Sequence, residues 1–218
     1  MPRLTRSFFA RSSIEVAPAL IGTRLVRRLD NGTSLSGIIV EVEAYIGPKD
    51  RASHAYAGRR TARNEAMYSK AGTSYVYFTY GMHDCINVVC ASEGVPEAVL
   101  IRALEPDPDS LAIMRRNRNL EPERLLCSGP GRLCQAMEID RNLNGIDLCT
   151  SHALWLESVR SPARRIVRSP RIGIDSAGSW AKRLLRWSDA HSNHVSKPPN
   201  GKRSVRARIS GTKNRKTT

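Results

Sequence analysis

The sequence predicts an α+β fold: a single domain with a curved, mostly antiparallel sheet and peripheral helices. Segments that read as strands cluster and are joined by turns, with no regular βαβ rhythm. There is no internal repeat, and 218 residues are enough for one sizeable core but barely for two.

Ser12 followed three residues later by Glu15, ahead of Val16, Ala17, Leu20 and Ile21, is a capping-box start for a short helix that Gly22 is placed to end. A hairpin follows, in which Leu25-Val26 and a strand at 38–45 flank Asp30-Asn31-Gly32, since Asn-Gly favours the left-handed backbone of a tight turn. Gly47-Pro48 stops that strand and opens a loop to Asn64 with four arginines, a lysine, a histidine and a tyrosine against one aspartate. Such a loop is either a solvated connection or a basic, aromatic surface for nucleic acid. Ser74 to Tyr80, rich in aromatic and β-branched residues and ending at Gly81, reads as a strand entering a turn. Buried tyrosine hydroxyls need partners, so Phe would be the simpler choice there if the segment were only core.

Cys85–Cys90 and Ala98–Leu104 read as two more strands, and Arg102 inside the second has to be paired or to point into a polar cavity. Asp107 to Asn119 reads as a helix burying Leu111 and Met114, and Gly129-Pro130-Gly131 precedes another from Arg132 to about Ile139, whose N-terminus suits a phosphate. Past Trp155 the chain is basic and broken by Pro, with a strand-like stretch at Arg171-Ile172-Gly173-Ile174.

The net charge is +15, and its distribution is uneven: residues 1–159 hold 19 Lys/Arg against 18 Asp/Glu, residues 160–218 hold 16 against 2. A polyanionic partner is expected. Residues 1–196 are read as the domain and 197–218, which lack any acid or aromatic residue, as a basic, disordered tail. The five cysteines lack zinc-site spacing, and no apolar run suits a signal or a membrane span, so buried free thiols in a reducing compartment are expected.

The stretch Ile39 to Tyr45 carries the chemistry. Apolar residues at 38, 40, 42 and 44 alternate with Glu41, Glu43 and Tyr45, which places two carboxylates and a ring on one face, neighbours about 7 Å apart. A half-buried strand with a merely wet face shows the same pattern.

Together these segments resemble the alkyladenine (3-methyladenine) DNA glycosylases of base excision repair. The resemblance is carried by Gly37 to Pro48, the loop His54…Arg63-Asn64, Tyr75-Val76-Tyr77 with Tyr80-Gly81-Met82, Leu100 to Pro106 and Cys127 to Ala136, in register over about residues 8 to 196. It implies a monofunctional enzyme that flips an alkylated or deaminated purine, of the 3-methyladenine or hypoxanthine type, out of duplex DNA and hydrolyses its N-glycosidic bond with water. Glu43 would be the general base, with Glu41 its rival in sequence, and Arg102 would help hold the water, joined by backbone from Val195. Tyr45, His54 and Tyr77 would wall the base, and Asn87 would disfavour the exocyclic amine of guanine. Tyr80, with Met82 beside it, would wedge into the gap in the duplex, and Arg59, Arg60, Thr61 and Arg63 would meet the DNA backbone.

The resemblance implies no metal and no cofactor, a monomer, no membrane association, and a cytoplasmic, nucleoid-associated or nuclear place. His83-Asp84 and, in the basic loop, Tyr56, Arg60 and Ala62 depart from the family pattern. The alternatives are a catalytically inactive nucleic-acid-binding protein on the same fold, an amine nucleophile at Pro2, and a metal nuclease on Glu41 and Glu43.

Overall fold

In the computed structural model, which describes residues 1–159 and 164–198, one long strand organises the sheet. Strands β1 (Arg24–Arg28) and β2 (Ser34–Tyr45) form the expected hairpin, with β2 starting earlier than its apolar pattern suggested. Strands β3 (Ser74–Thr79), β4 (His83–Cys90) and β5 (Glu97–Pro106) follow, and β6 (Leu154–Glu157), β7 (Ile166–Ser169) and β8 (Arg186–Asp189) complete an eight-stranded sheet ordered β3-β4-β5-β2-β1-β6. All pairs are antiparallel. β5 lines one side of β2, whereas the other side is shared: β1 pairs with residues 34–38 and β8 with residues 41–43. The sheet therefore curls into a half-barrel, the α+β class expected.

Among the described residues five helices, α1 (Arg6–Phe9), α2 (Ser13–Leu20), α3 (Leu111–Arg118), α4 (Glu123–Leu126) and α5 (Pro130–Ala136), lie around it. Glu15 accepts from the amide and hydroxyl of Ser12, closing the capping box of α2. α2 packs on β2, and α5 on β4 and β5. Their shared core takes Val76, Ile86, Val88, Val99, Ile101, Val42 and Ala44 from the sheet. By alternation, Tyr75, Tyr77, Cys85, Asn87, Ala98, Leu100 and Arg102 face the other way.

Three expectations are corrected. The alternation on β2 does not run unbroken from 38 to 45: Leu35 and Ile39 join the core, then Val42 and Ala44. The phase changes because Ile39 pairs with Leu104, Glu41 with Ala103 and Val42 with Ile101, leaving Val40 and Arg102 as extra residues on opposing strands. These two bulges offset one another, so both strands change phase together and the sheet continues. Arg171–Ile174 is not a strand; Gly173 has φ +76°, and the Arg171 side chain turns inward. The expected helices are shorter, Leu111–Arg118 behind a 3-10 turn at Pro108–Ser110 and Pro130–Ala136 rather than 132–139. Of the tail at 197–218, everything from residue 199 lies outside the described residues.

The cysteines are free thiols, four of them buried, as their spacing suggested. Among the described residues no helix is long and apolar enough to cross a membrane.

Gly37 sits where β2 meets β5 most closely: a Cβ there would stand 2.8 Å from the Glu105 carbonyl oxygen and 3.2 Å from Leu104 Cβ. Because backbone cannot swing aside as a side chain does, Gly37→Ala is expected to cost about 1–3 kcal/mol, read as a lower urea midpoint with unchanged slope.

Candidate active site

The two acids of β2 have different surroundings. Glu41 and Glu43 are both fully buried. Glu41 Oε1 accepts from Arg102 Nε at 2.9 Å, Arg186 Nη1 at 2.9 Å and Ser196 Oγ at 2.8 Å, and its Oε2 from the Ser196 amide at 2.5 Å. Four donors occupy this carboxylate, so it is a structural anchor and not a solvated neighbour.

Glu43 has fewer. Its Oε1 accepts from the Ile172 amide at 2.8 Å and lies 3.2 Å from Arg102 Nη1, and among the described residues its Oε2 accepts only from the Tyr45 hydroxyl at 2.9 Å. Acceptor capacity therefore remains at Oε2. Burial pushes the Glu43 carboxyl above the ordinary glutamate range, against the opposing pull of Arg102, the Ile172 amide and Tyr45.

Above this pair opens a cavity of about 450 Å³, a size suited to a small ligand. Tyr45, His54, Tyr77, Asn87, Tyr80 and Arg102 all line it, so one site gathers six residues singled out in the sequence. Glu43 lies beneath the wall, one hydrogen bond from the lining residues Tyr45 and Ile172.

His54 and Tyr77 meet edge to face, 4.5 Å between ring centres and 76° between planes, so they touch each other and form a corner. His54 Nδ1 is 2.7 Å from the hydroxyl of the buried Tyr75, which gives that hydroxyl its partner. Burial, with Arg63 and Arg59 nearby, pulls the imidazole down to about 4, so it is neutral at physiological pH. Asn87 is buried and its amide donates to the Tyr75 carbonyl at 3.0 Å. Burial holds the Cys85 thiol up at about 11, hence protonated.

At the rim, the β3–β4 turn carries Tyr80 at φ +52° and Gly81 at φ +67°. Tyr80 is 79% exposed and Met82 68%. An exposed tyrosine in a left-handed turn gains nothing from core packing, so the fold alone does not account for it. Met82, Arg60, Thr61 and Arg63 do not line the cavity, whereas Arg59 does.

All four basic-loop residues are exposed. Asn64 staples the loop by accepting from Thr61 and donating to the carbonyls of His54 and Arg59. Arg60 forms a two-pronged pair with Glu65, and Arg63 donates to the Phe78 carbonyl at 2.9 Å. His83 lies against Gly131, and Arg141 sits 3.8 Å from Asp84. Near the end of the described residues, the amide and hydroxyl of Ser196 both donate to Glu41, and the neighbouring Val195 does not line the cavity.

Arg186, Arg171, Asp50 and Ser196 did not stand out in the sequence. The two arginines lie in a segment where basic residues are common, and burial alone distinguishes them.

Fold and site define a class: an α+β half-barrel domain whose aromatic cavity sits over a partly satisfied buried glutamate. This chain belongs to the methylpurine-DNA glycosylase family, whose profile, described as Methylpurine-DNA glycosylase (MPG), matches residues 7–193. It is 46% identical over 198 residues to the mouse DNA-3-methyladenine glycosylase, covering 85% of this chain and 58% of that protein. It is 43% identical over 200 residues to the human DNA-3-methyladenine glycosylase, covering 86% and 65%. The chain thus spans about three fifths of the length of these mammalian relatives. A Methanocella arvoryzae relative, whose 3-methyladenine DNA glycosylase name is provisional, is 46% identical over 198 residues, covering 90% and 97%.

The two acids are expected to differ in stability as they do in surroundings. Glu41→Gln leaves two buried arginines short of a partner and is expected to cost about 3–5 kcal/mol. Because the folded carboxyl of Glu43 is raised, its ionisation disfavours folding. That cost is absent below the ordinary value of 4.5 and complete above the folded one. Glu43→Gln escapes it, so at pH 7 its urea midpoint is expected to equal or exceed that of the wild type. A loss as large as that of Glu41→Gln would contradict this reading of the site.

Proposed function

We propose that this protein is a monofunctional DNA glycosylase that flips a damaged purine out of duplex DNA and hydrolyses its N-glycosidic bond with water, Glu43 acting as general base. The observation that carries this reading is the contrast between the two carboxylates: Glu41 accepts from four donors, whereas Glu43 accepts from two, with Arg102 beside it, and keeps acceptor capacity directly under the cavity wall. A base with that capacity takes the proton of a water as the glycosidic bond opens, and its charge favours the cationic character that develops on the sugar. Arg102, bonded to Glu41 and close to Glu43, lies on the cavity wall where it helps hold that water.

Recognition follows from the aromatic lining. Stacking on an aromatic side chain gives about 1–3 kcal/mol per base, against a flipping cost of roughly a few kcal/mol, so Tyr45 and the His54–Tyr77 corner together offset extrusion. A neutral imidazole and electron-rich tyrosine rings also suit a cationic alkylated base. The mouse and human relatives are named for 3-methyladenine, which supports alkylated adenines as the substrates we propose, with hypoxanthine-type bases beside them. Asn87, fixed by its bond to Tyr75, stands as the residue that disfavours the guanine amine.

Tyr80, exposed at the tip of its hairpin, serves as the wedge with Met82 beside it. Arg59, Arg60, Thr61 and Arg63 serve the phosphate backbone; Arg60 exchanges its Glu65 partner for phosphate, and Arg59 has no acidic partner among the described residues.

Duplex DNA carrying a methylated adenine or hypoxanthine, incubated with the protein and then treated with hot alkali, is expected to break at the lesion. Glu43→Gln is expected to slow single-turnover release by about 100-fold or more while DNA affinity is kept. Tight binding with no release from any lesion would instead leave a DNA-binding protein, and breaks without alkali would indicate an amine nucleophile. Since the base must be ionised and its carboxyl is raised, the acid limb of the rate is expected above pH 4.5. A limb at or below that value would exclude Glu43 as its source.

A further inference from the structure

One dipeptide grips three successive residues of β2. The Arg171 side chain is fully buried and forms a two-pronged pair with Asp50, Nη1 at 2.5 Å from Oδ2 and Nη2 at 2.8 Å from Oδ1. Nη1 also donates to the Ala44 carbonyl at 2.9 Å, and the guanidinium carbon lies 4.6 Å from the centre of the Tyr45 ring. The next amide, that of Ile172, donates to Glu43 Oε1 at 2.8 Å. Residues 43, 44 and 45 are thus held in turn by residues 171 and 172.

We propose that Arg171 is a positioning residue for Glu43: anchored by Asp50, it fixes the turn at 170–174 so that the Ile172 amide donates to the carboxylate, and it backs the Tyr45 ring so that the hydroxyl does too. The role in catalysis rests on the glycosylase reading; the geometry does not.

Two features favour positioning over simple packing. The turn takes no part in the sheet ladder, and Gly173 at φ +76° breaks the extended backbone, so no strand neighbour holds the Ile172 amide. Its anchors are Arg171 itself and the Pro170 carbonyl, which accepts from Arg186. Asp50 in turn gathers the end of β2 and the start of the basic loop, accepting from the amides of Ile46 and Ala52. The Arg171 charge is matched by Asp50, so the residue acts on Glu43 through the groups it places. The other charged and titratable groups facing Glu43 are Glu41 and Tyr45 on β2, Tyr77 on β3, Cys85 on β4 and Arg102 on β5, with Arg186 its partner in register on β8.

Two variants of the full chain test the proposal. Arg171→Met combined with Asp50→Asn removes the pair without changing net charge and keeps an acceptor for the Ala52 amide. Replacing residue 172 by the α-hydroxy analogue of isoleucine turns its amide into an ester, which puts an oxygen in place of the N–H and leaves every side chain unchanged. In each, the Glu43 side-chain carboxyl is titrated by ¹³C NMR, assigned by its loss in Glu43→Gln, and single-turnover base release is followed against pH.

Losing a hydrogen bond to the ionised form is expected to raise the midpoint by about one pH unit in both variants, with release about tenfold slower below the acid limb and little changed on the plateau. Arg171→Lys is expected to recover part of the shift. An unmoved midpoint in the ester variant, or in the folded double variant, would overturn the proposal. A wild type that titrates as expected but releases no base would sink the glycosylase reading alone, since the NMR titration decides the positioning role without it.

Discussion

The structure depends on satisfying one buried charge. Glu41 has no exposure to water, and a carboxylate in that position is tolerated only if donors replace its hydration. Those donors come from three places far apart in the chain: Arg102 on β5, Arg186 on β8 and Ser196 near the end of the described residues. To bring them together, β8 pairs with β2 where β1 has left it, and Arg102 occupies a bulge. The same guanidinium then lies beside Glu43, so the anchoring of one acid positions the other.

Glu43 is under-supplied by comparison, and that shortfall underlies the role of base we propose for it. A carboxylate with every lone pair engaged has nothing left with which to accept a proton, and one open to water keeps an ordinary affinity for it. Glu43 lies between these limits. Burial raises its proton affinity while Arg102, the Ile172 amide and Tyr45 hold it down, and one oxygen retains spare capacity. Arg171 and Asp50 form a second buried ion pair on the far side of Tyr45, so the site is braced from both ends.

In the function we propose, the cavity and its rim divide the work of recognition. Inside, the hydroxyl of Tyr75 and the carbonyl behind Asn87 fix ring and amide orientations, giving a slot with braced aromatic rings in its wall. Outside, the basic loop is held in shape by Asn64 while its arginines stay exposed. Rigid lining favours a flat ligand, and exposed cations on a stapled loop favour a polyanion without demanding its sequence.

The sequence by itself determined a great deal. Aromatic and β-branched runs marked β3, β4 and β5, period-2 alternation marked the far half of β2, the Ser12…Glu15 spacing marked α2, and Tyr45, His54, Tyr77, Asn87, Tyr80 and Arg102 do meet at one cavity. These were legible because strand period, capping and turn chemistry act over a few residues, and because the motifs of a family recur in order. Only the tertiary structure decided the rest. Nothing local says that Val40 and Arg102 bulge, since a register belongs to a pair of strands and not to either one. Nor does composition separate Arg171 and Arg186 from the exposed arginines around them, because burial of a charge is decided by distant partners. For the same reason Glu41 and Glu43 read as equals along the strand. What distinguishes them is how many donors the fold delivers to each, which depends on chain segments more than a hundred residues away.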